Sequence, residues 1–343
     1  MPTSLRNWNN WKWQLSHARS AMAEIPFQDD ATAKLYPPYA TPFYLSLAKE
    51  LSLQDPVLQQ CIPLPRELDD TAEDDPLAEE RDSPLPRLVH RYRDRALFLA
   101  CGTCAVHCRH CMRKRLWKQA PLCAPTAEEL SQVQKYLMQQ SDVREILISG
   151  GDPLTLPDKN IAQILETFAS VPTVEMLRIG TRTLVALPQR FTPSLCRIFA
   201  RCPKTIWIAT HFNHPQEISP EAERAVLSLM KAGVPVVNQC VLLKGINDSA
   251  EILGKLFTEL LRIRIKPYYL FHGDPVKGTS CFRTGLQKGV DILKQLHHNL
   301  TGMGLPAFAF DLPEGGGKIR LEPDFTTENG KYLSRSGTPL PYL

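Results

Sequence analysis

From Arg95 onward the chain alternates short apolar runs with segments in which apolar residues recur at helical spacing. The runs cover residues 96–100, 145–149, 176–180, 205–210, 234–242 and 265–270, each with the length and content of a buried strand. Between them, segments such as 127–140, 159–169, 220–232 and 250–262 divide apolar from polar residues on two faces of a helix. A seventh run, 308–310, succeeds a long helix that begins near Gly285. Successive units of this kind require parallel strands joined by right-handed crossovers, hence a doubly wound sheet or a closed or partly closed barrel. Periodicity alone leaves these open.

Residues 1–90 follow another pattern. Trp8, Trp11 and Trp13 open an amphipathic helix that packs on the main domain, prolines at 37, 38, 42, 63 and 65 interrupt the chain, and an acidic stretch runs from Glu67 to Asp82. The tail after Lys318 is rich in Pro and polar residues and reads as irregular. The expected divisions are a helical extension over 1–90, a strand–helix domain over 91–311 and a C-terminal segment over 312–343.

Composition narrows the classes. The 343 residues are 43% hydrophobic, enough for a large core, and 40 Lys and Arg against 36 Asp and Glu leave a net charge of +4. Without a long basic run, nucleic acid is not an expected partner. No stretch approaches the roughly 18 apolar residues of a membrane span, and the opening MPTSLRNWNNWKWQL is too polar for a secretion signal. The expected setting is the cytoplasm. Ten cysteines in such a chain read as thiols or metal ligands rather than disulfides.

Four of the cysteines fall within eleven residues, Cys101-Gly-Thr-Cys104-Ala-Val-His-Cys108-Arg-His-Cys111. Thiolates gathered so tightly bind zinc or an iron–sulfur cluster. Structural zinc usually draws two ligand pairs across a longer linker, whereas Cys104, Cys108 and Cys111 form one compact C-x3-C-x2-C loop. Three cysteines leave the fourth iron of a 4Fe–4S cluster open to a small molecule. The loop resembles the signature of the radical S-adenosylmethionine superfamily, which follows the first strand of a partial barrel. Cys101 reads as a buried free thiol; as a fourth ligand it would close a zinc site in a protein without catalysis.

Loops after parallel barrel strands share the face that carries the chemistry. In Ser149-Gly150-Gly151-Asp152-Pro153 the glycines permit close backbone approach, and Asp152 offers a carboxylate to the ammonium of a bound methionine. His211 and Gln239 are expected on the cofactor side of the pocket, while His214 and Asn238 stay open between that side and hydrogen bonds to neighbouring loops. Lys318 follows three glycines, and the upstream His90-Arg91-Tyr92-Arg93-Asp94-Arg95 gathers arginines suited to a phosphate dianion. Together they suggest pyridoxal 5′-phosphate held by Lys318 as a Schiff base.

In order along the chain, WNNWKWQL, DPLAEERDSPLPRLVHRYRDR, CRHCMRKR, SGGDPL, LRIGTR, LPQRFT, HFNHPQE, NQCVLLKGIND, FRTGLQKG and EGGGK resemble the lysine 2,3-aminomutases. These enzymes combine a radical S-adenosylmethionine centre with pyridoxal phosphate. The resemblance implies an α/β fold: a partial (β/α)6 TIM-like barrel with a helical N-terminal extension and a short C-terminal segment carrying the pyridoxal lysine. It implies that Cys104, Cys108 and Cys111 hold the cluster, that Lys318 bonds to pyridoxal phosphate, and that Arg91, Tyr92 and Arg95 bind its phosphate. Arg113 falls where the family binds the substrate carboxylate, and Asp274 and Asp311 where it binds the distal ammonium of lysine. That pair also stands physically, because two carboxylates at one barrel mouth favour a cationic side chain. A guanidinium would satisfy them too, which makes arginine the rival substrate.

The implied reaction moves the amino group of lysine from the α to the β carbon. It needs an external electron donor such as flavodoxin or ferredoxin, and a homo-oligomer stays open. The extension and tail are expected to cover the barrel mouth. Two departures stand out. Glu314 replaces the first glycine of the family's Pro-Gly-Gly-Gly-Gly-Lys loop, and the chain lacks the long C-terminal region of the larger members, so it is similar to the short enzymes that supply β-lysine for elongation factor P.

Overall fold

The structure, a computed structural model, describes residues 4–26, 28–118, 122–327, 329–334 and 338–341. Where the irregular tail was expected, positions 328, 335–337 and 342–343 lie outside the described residues. Nine strands form one sheet in chain order: β1 Leu88–Tyr92, β2 Arg95–Cys101, β3 Glu145–Gly150, β4 Met176–Gly180, β5 Thr205–Thr210, β6 Val236–Leu242, β7 Lys266–His272, β8 Ala307–Leu312 and β9 Gly317–Leu321. Strands β2 to β8 run parallel, as the alternating pattern requires, while β1 and β9 pair antiparallel at the two edges. Residues from both edge strands line one cavity, so the sheet curls into an open half-barrel.

Strand periodicity sorts the side chains. Ile146 and Ile148 of β3 and Leu177 and Ile179 of β4 are buried in the apolar core, whereas Glu145, Leu147, Ser149, Arg178 and Gly180 face the cavity. Helices Ala127–Met138, Asp158–Ala169, Pro193–Arg201, Pro220–Lys231, Ala250–Arg262 and Leu286–Asn299 contribute the other apolar side chains of that core. Four of them begin at hydroxyl caps, Thr126, Thr192, Ser219 and Ser249, each accepting a backbone N–H three residues on. Among the described residues no helix is long and apolar enough to cross a membrane.

Two expectations are corrected. The tail is not irregular at its start, because residues 317–321 form β9, and the divisions expected after residues 90 and 311 both fall inside strands. The cause is common to both ends: each flanking segment adds an antiparallel edge strand to the parallel sheet.

The extension packs on the barrel as expected. Trp11 lies against the core with the Arg190 guanidinium 4.6 Å above its ring. Further along, Glu67 is completely buried and accepts hydrogen bonds from Arg109 (Nη2 at 2.7 Å) and from Lys114, both equally buried. Lys114 also donates to the Gly278 carbonyl (2.6 Å) and Arg109 to that of Tyr36 (3.0 Å). Burial pulls Lys114 down to about 8. This knot ties the extension, the cysteine loop and the loop after β7 together. Asp70 adds to it by accepting the amides of Gly278, Thr279 and Ser280 (3.0, 3.0 and 2.8 Å).

Glu67→Ala removes the carboxylate that Arg109 and Lys114 share and leaves two buried cations without it. It is expected to lower stability by about 3–5 kcal/mol in urea unfolding of the cofactor-free protein; a loss below about 1 kcal/mol, the worth of an exposed pair, would contradict this account of the knot.

Candidate active site

A chamber of about 560 Å³ opens inside the curl of the sheet. That is the size of a small-molecule pocket. Every site residue expected from the sequence lies on its wall: Arg91, Tyr92 and Arg95; Cys104, Cys108, Cys111 and Arg113; Gly150, Gly151 and Asp152; His211 and Gln239; Asp274, Asp311 and Lys318.

The cysteine loop leaves β2 pressed against the loop after β3. A Cβ on Gly150, whose φ is +126°, would sit 2.5 Å from the Cys101 carbonyl oxygen, and one on Gly151 2.4 Å from that of Thr103. The close approach expected of these glycines is therefore to the cysteine loop itself. Cys101 turns its Sγ to the Asp152 carbonyl (3.2 Å), and burial pushes its thiol up to about 11. It is a hydrogen-bond donor and does not line the chamber that Cys104, Cys108 and Cys111 share. Among the described residues no group of three or more His, Cys, Asp or Glu side chains converges on a single ion.

Burial also raises the Cys111 thiol to about 11 and the Cys104 thiol well above its ordinary value, and a bound cation would favour their ionised forms. Arg182, on the loop after β4, points Nη1 at Cys108 Sγ (2.7 Å) while Nη2 is held by Glu217 (2.6 Å), Gln60 (2.6 Å) and Tyr44 (3.2 Å). His110, between the cysteines, has a buried Nδ1 without a partner among the described residues.

Asp152 lines the chamber and is also tied into the chain. Its carboxylate accepts from Thr181 Oγ1 (2.7 and 2.9 Å) and from the amides of Arg182 (2.7 Å) and Leu154 (3.1 Å). Both oxygens thereby join the β3 and β4 loops. Burial raises it to about 6. Asn238 is likewise structural, exchanging two hydrogen bonds with the backbone of Phe212 (2.8 and 3.0 Å), and His214 caps Gln216 (3.2 Å). His211 differs. Its Nδ1 lies 2.8 Å from the Gln239 carbonyl, which can only accept, so Nε2 is an acceptor; burial lowers the imidazole to about 4 and keeps it neutral.

On the opposite wall Lys318 of β9 stands directly across from Asp311 of β8, with Nζ 2.5 Å from the carboxylate. Tyr92 accepts the Lys318 backbone N–H (3.0 Å), and the Arg95 guanidinium covers the Tyr92 ring at 3.7 Å. Arg91 is held by Asp82 (2.7 Å) and the Leu77 carbonyl. Gly315 has φ +68°, and a Cβ there would meet Arg81, Asp82 and Arg91 at 2.7, 2.9 and 3.3 Å, so glycine lets the lysine loop close on this cluster. Arg113 is gripped by buried Glu79, Nη2 to Oε1 at 2.6 Å. The Asp274 backbone carbonyl accepts from Val276 N–H (2.8 Å) and Thr279 Oγ1 (3.0 Å), but its carboxylate makes no hydrogen bond with the described residues, and burial together with nearby Asp311 raises it to about 7.

The sequence reading passed over Arg182, His110, Glu79 and Asp82. Arg182 ends the quoted LRIGTR and His110 lies inside the cysteine motif, so position offered a signal for both. The acidic stretch was legible as a charge run, but its partners lie elsewhere in the chain.

A family profile described as a 4Fe-4S single cluster domain matches residues 94–183. The chain is 42% identical over 332 residues to the putative L-lysine 2,3-aminomutase of Aquifex aeolicus, covering 93% of this chain and 89% of that one. It is 39% identical over 331 residues to the L-lysine 2,3-aminomutase of Clostridium subterminale, covering 93% and 79%. The chain belongs to the lysine 2,3-aminomutase family. Its relatives include the glutamate 2,3-aminomutase of Clostridioides difficile, 37% identical over 335 residues, covering 94% and 79%.

The chain is thus an isomerase whose cofactors are a 4Fe–4S cluster, S-adenosylmethionine and pyridoxal phosphate, and its residues fit them. Three cysteines face the chamber while Cys101 turns away, as a cluster with one open iron requires. Lys318, flanked by Tyr92, Arg91 and Arg95, offers an amine beside guanidinium groups suited to a phosphate.

After anaerobic reconstitution Cys101→Ala should keep its iron and acid-labile sulfide, and Cys108→Ala should lose both; the reverse would return Cys101 to the ligand set. A second outcome concerns Asp274. Between the ordinary carboxylate value near 3.9 and its own value of about 7, the folded state holds a proton that the unfolded chain has lost, so stability falls as pH rises through this window. Urea unfolding of the cofactor-free protein should show Asp274→Asn gaining on the parent from about pH 4 to about pH 8; a constant difference would contradict the raised value.

Proposed function

We propose that the chain converts L-lysine to β-lysine by moving the amino group from the α to the β carbon. The observation that carries this reading is the half-buried Asp274, whose carboxylate has no hydrogen-bond partner among the described residues, beside Asp311, a pair of carboxylates on one chamber wall. An unpaired acid in such a place favours a cation, and a ligand ammonium would return Asp274 to its ionised form.

Residue roles follow from chemistry and position. When bound, the cluster and S-adenosylmethionine supply a hydrogen-abstracting radical, and pyridoxal phosphate supplies the carbonyl that carries the migrating nitrogen. Cys104, Cys108 and Cys111 hold the cluster, and Arg182 fixes Cys108. The neutral His211, with Nε2 as acceptor, Gln239 and the Gly150–Gly151 backbone shape the S-adenosylmethionine side. Lys318 is the covalent anchor of pyridoxal phosphate, oriented through its backbone by Tyr92, with Arg91 and Arg95 toward the phosphate. Arg113 takes the substrate carboxylate, and Asp274 and Asp311 its distal ammonium. The extension contributes Leu77, Glu79 and Val89 to the wall, which supports its role as a cover that excludes water. The reading includes an external one-electron donor such as flavodoxin or ferredoxin, a cytoplasmic setting, and supply of β-lysine to elongation factor P.

The test is an anaerobic incubation of reconstituted protein with L-lysine, S-adenosylmethionine, pyridoxal phosphate and dithionite, with amino acids identified by chromatography and mass detection. β-Lysine should form and disappear with Cys108→Ala or Lys318→Ala. If 5′-deoxyadenosine accumulates without β-lysine, lysine is not the substrate.

A further inference from the structure

We infer that Glu79 is a positioning residue that selects the edge of Arg113 presented to the substrate. The inference rests on the reading that Arg113 takes the substrate carboxylate. A guanidinium can grip a carboxylate along two edges, one formed by Nε and Nη2 and the other by Nη1 and Nη2. Glu79 fills the first, with Nε 3.1 and 3.0 Å from its two oxygens and Nη2 2.6 Å from Oε1. Nη1 makes no hydrogen bond with the described residues and is not among their sealed, partnerless atoms, and Arg113 lines the chamber. The second edge is therefore the one left for a ligand.

Glu79 is itself held from behind. Arg115 Nη2 donates to its Oε2 (3.1 Å) and reaches Asp75 (3.4 Å), and Arg115 does not line the chamber. Glu79 is 5% exposed and Arg113 8%, so neither exchanges this contact freely for water. Deprived of the Glu79 edge, Arg113 can turn and offer either edge to a ligand, which weakens binding before any chemistry occurs.

The test uses the reconstituted full-length enzyme and L-lysine. Glu79→Asp, which withdraws the carboxylate by one methylene, should raise KM about tenfold with kcat within about threefold. The Kd of L-lysine, from calorimetry on the unreduced enzyme, should rise in parallel. Arg115→Gln, which leaves both Glu79 oxygens able to accept from Arg113, should leave KM and Kd within about threefold. Unchanged KM and Kd in Glu79→Asp overturn the inference, as does an equal rise in Arg115→Gln, a fall confined to kcat, or a Glu79→Asp protein that does not fold. Arg113→Met separates the two levels. If it raises KM while Glu79→Asp does not, only the positioning role fails; if it leaves KM and Kd unmoved, the carboxylate reading fails with it.

Discussion

The buried contact between Glu67 and the two cations Arg109 and Lys114 is the constraint on which the rest of the site depends. Arg109 lies between two of the loop cysteines and Lys114 just beyond the third, so their positions are those of the cluster loop. A charge out of water is tolerated only when paired and fully hydrogen-bonded, and here the pairing partner comes from the extension. The extension therefore anchors the loop through buried charge. The Lys114 contact with Gly278 and the Asp70 contacts with the same segment carry the constraint on to the loop after β7, where Asp274 lies.

The chamber wall repeats the device with fewer charges. Asp82 holds Arg91, Glu79 holds Arg113 and Asp311 holds Lys318, so the cations proposed for phosphate, carboxylate and pyridoxal are each met by one acid. Two of those acids belong to the same short acidic stretch. Within it, Pro76 accepts the backbone N–H of Glu314 (2.9 Å) and Arg81 donates to the Glu314 carbonyl (2.7 Å), so the stretch also fastens the lysine loop. Against this background Asp274 is the exception, an acid with no cation of its own. The pairing of Lys318 with Asp311 follows from sheet register, since the two residues are direct cross-strand neighbours.

Much of this was legible in the chain. The runs at 176–180 and 205–210 coincide with β4 and β5, because buried parallel strands are continuous apolar segments that end at turn residues. β1 and β9 were missed for the opposite reason: LVHRY and GKIRL are short, carry charged residues and are set beside loop-like sequence, as edge strands are. The cysteines, Lys318 and the acids after β7 and on β8 could be located because motif or element order fixes them. The partners of the acidic stretch could not, since Glu67 meets Arg109 and Glu79 meets Arg113 across more than thirty residues of intervening chain. The capping role of Asp152 went unread although Asp-Pro at the start of a helical turn is a capping signal.

The central claim is that Asp274 and Asp311 select a distal ammonium. Competition measures it most directly: equal concentrations of L-lysine, L-arginine and L-glutamate given together to the reconstituted enzyme, with the initial rate of each β-amino acid followed by mass detection. β-Lysine should dominate and lose its lead when Asp274 and Asp311 are both replaced by Asn. A parent enzyme that forms β-arginine or β-glutamate faster than β-lysine would contradict the account.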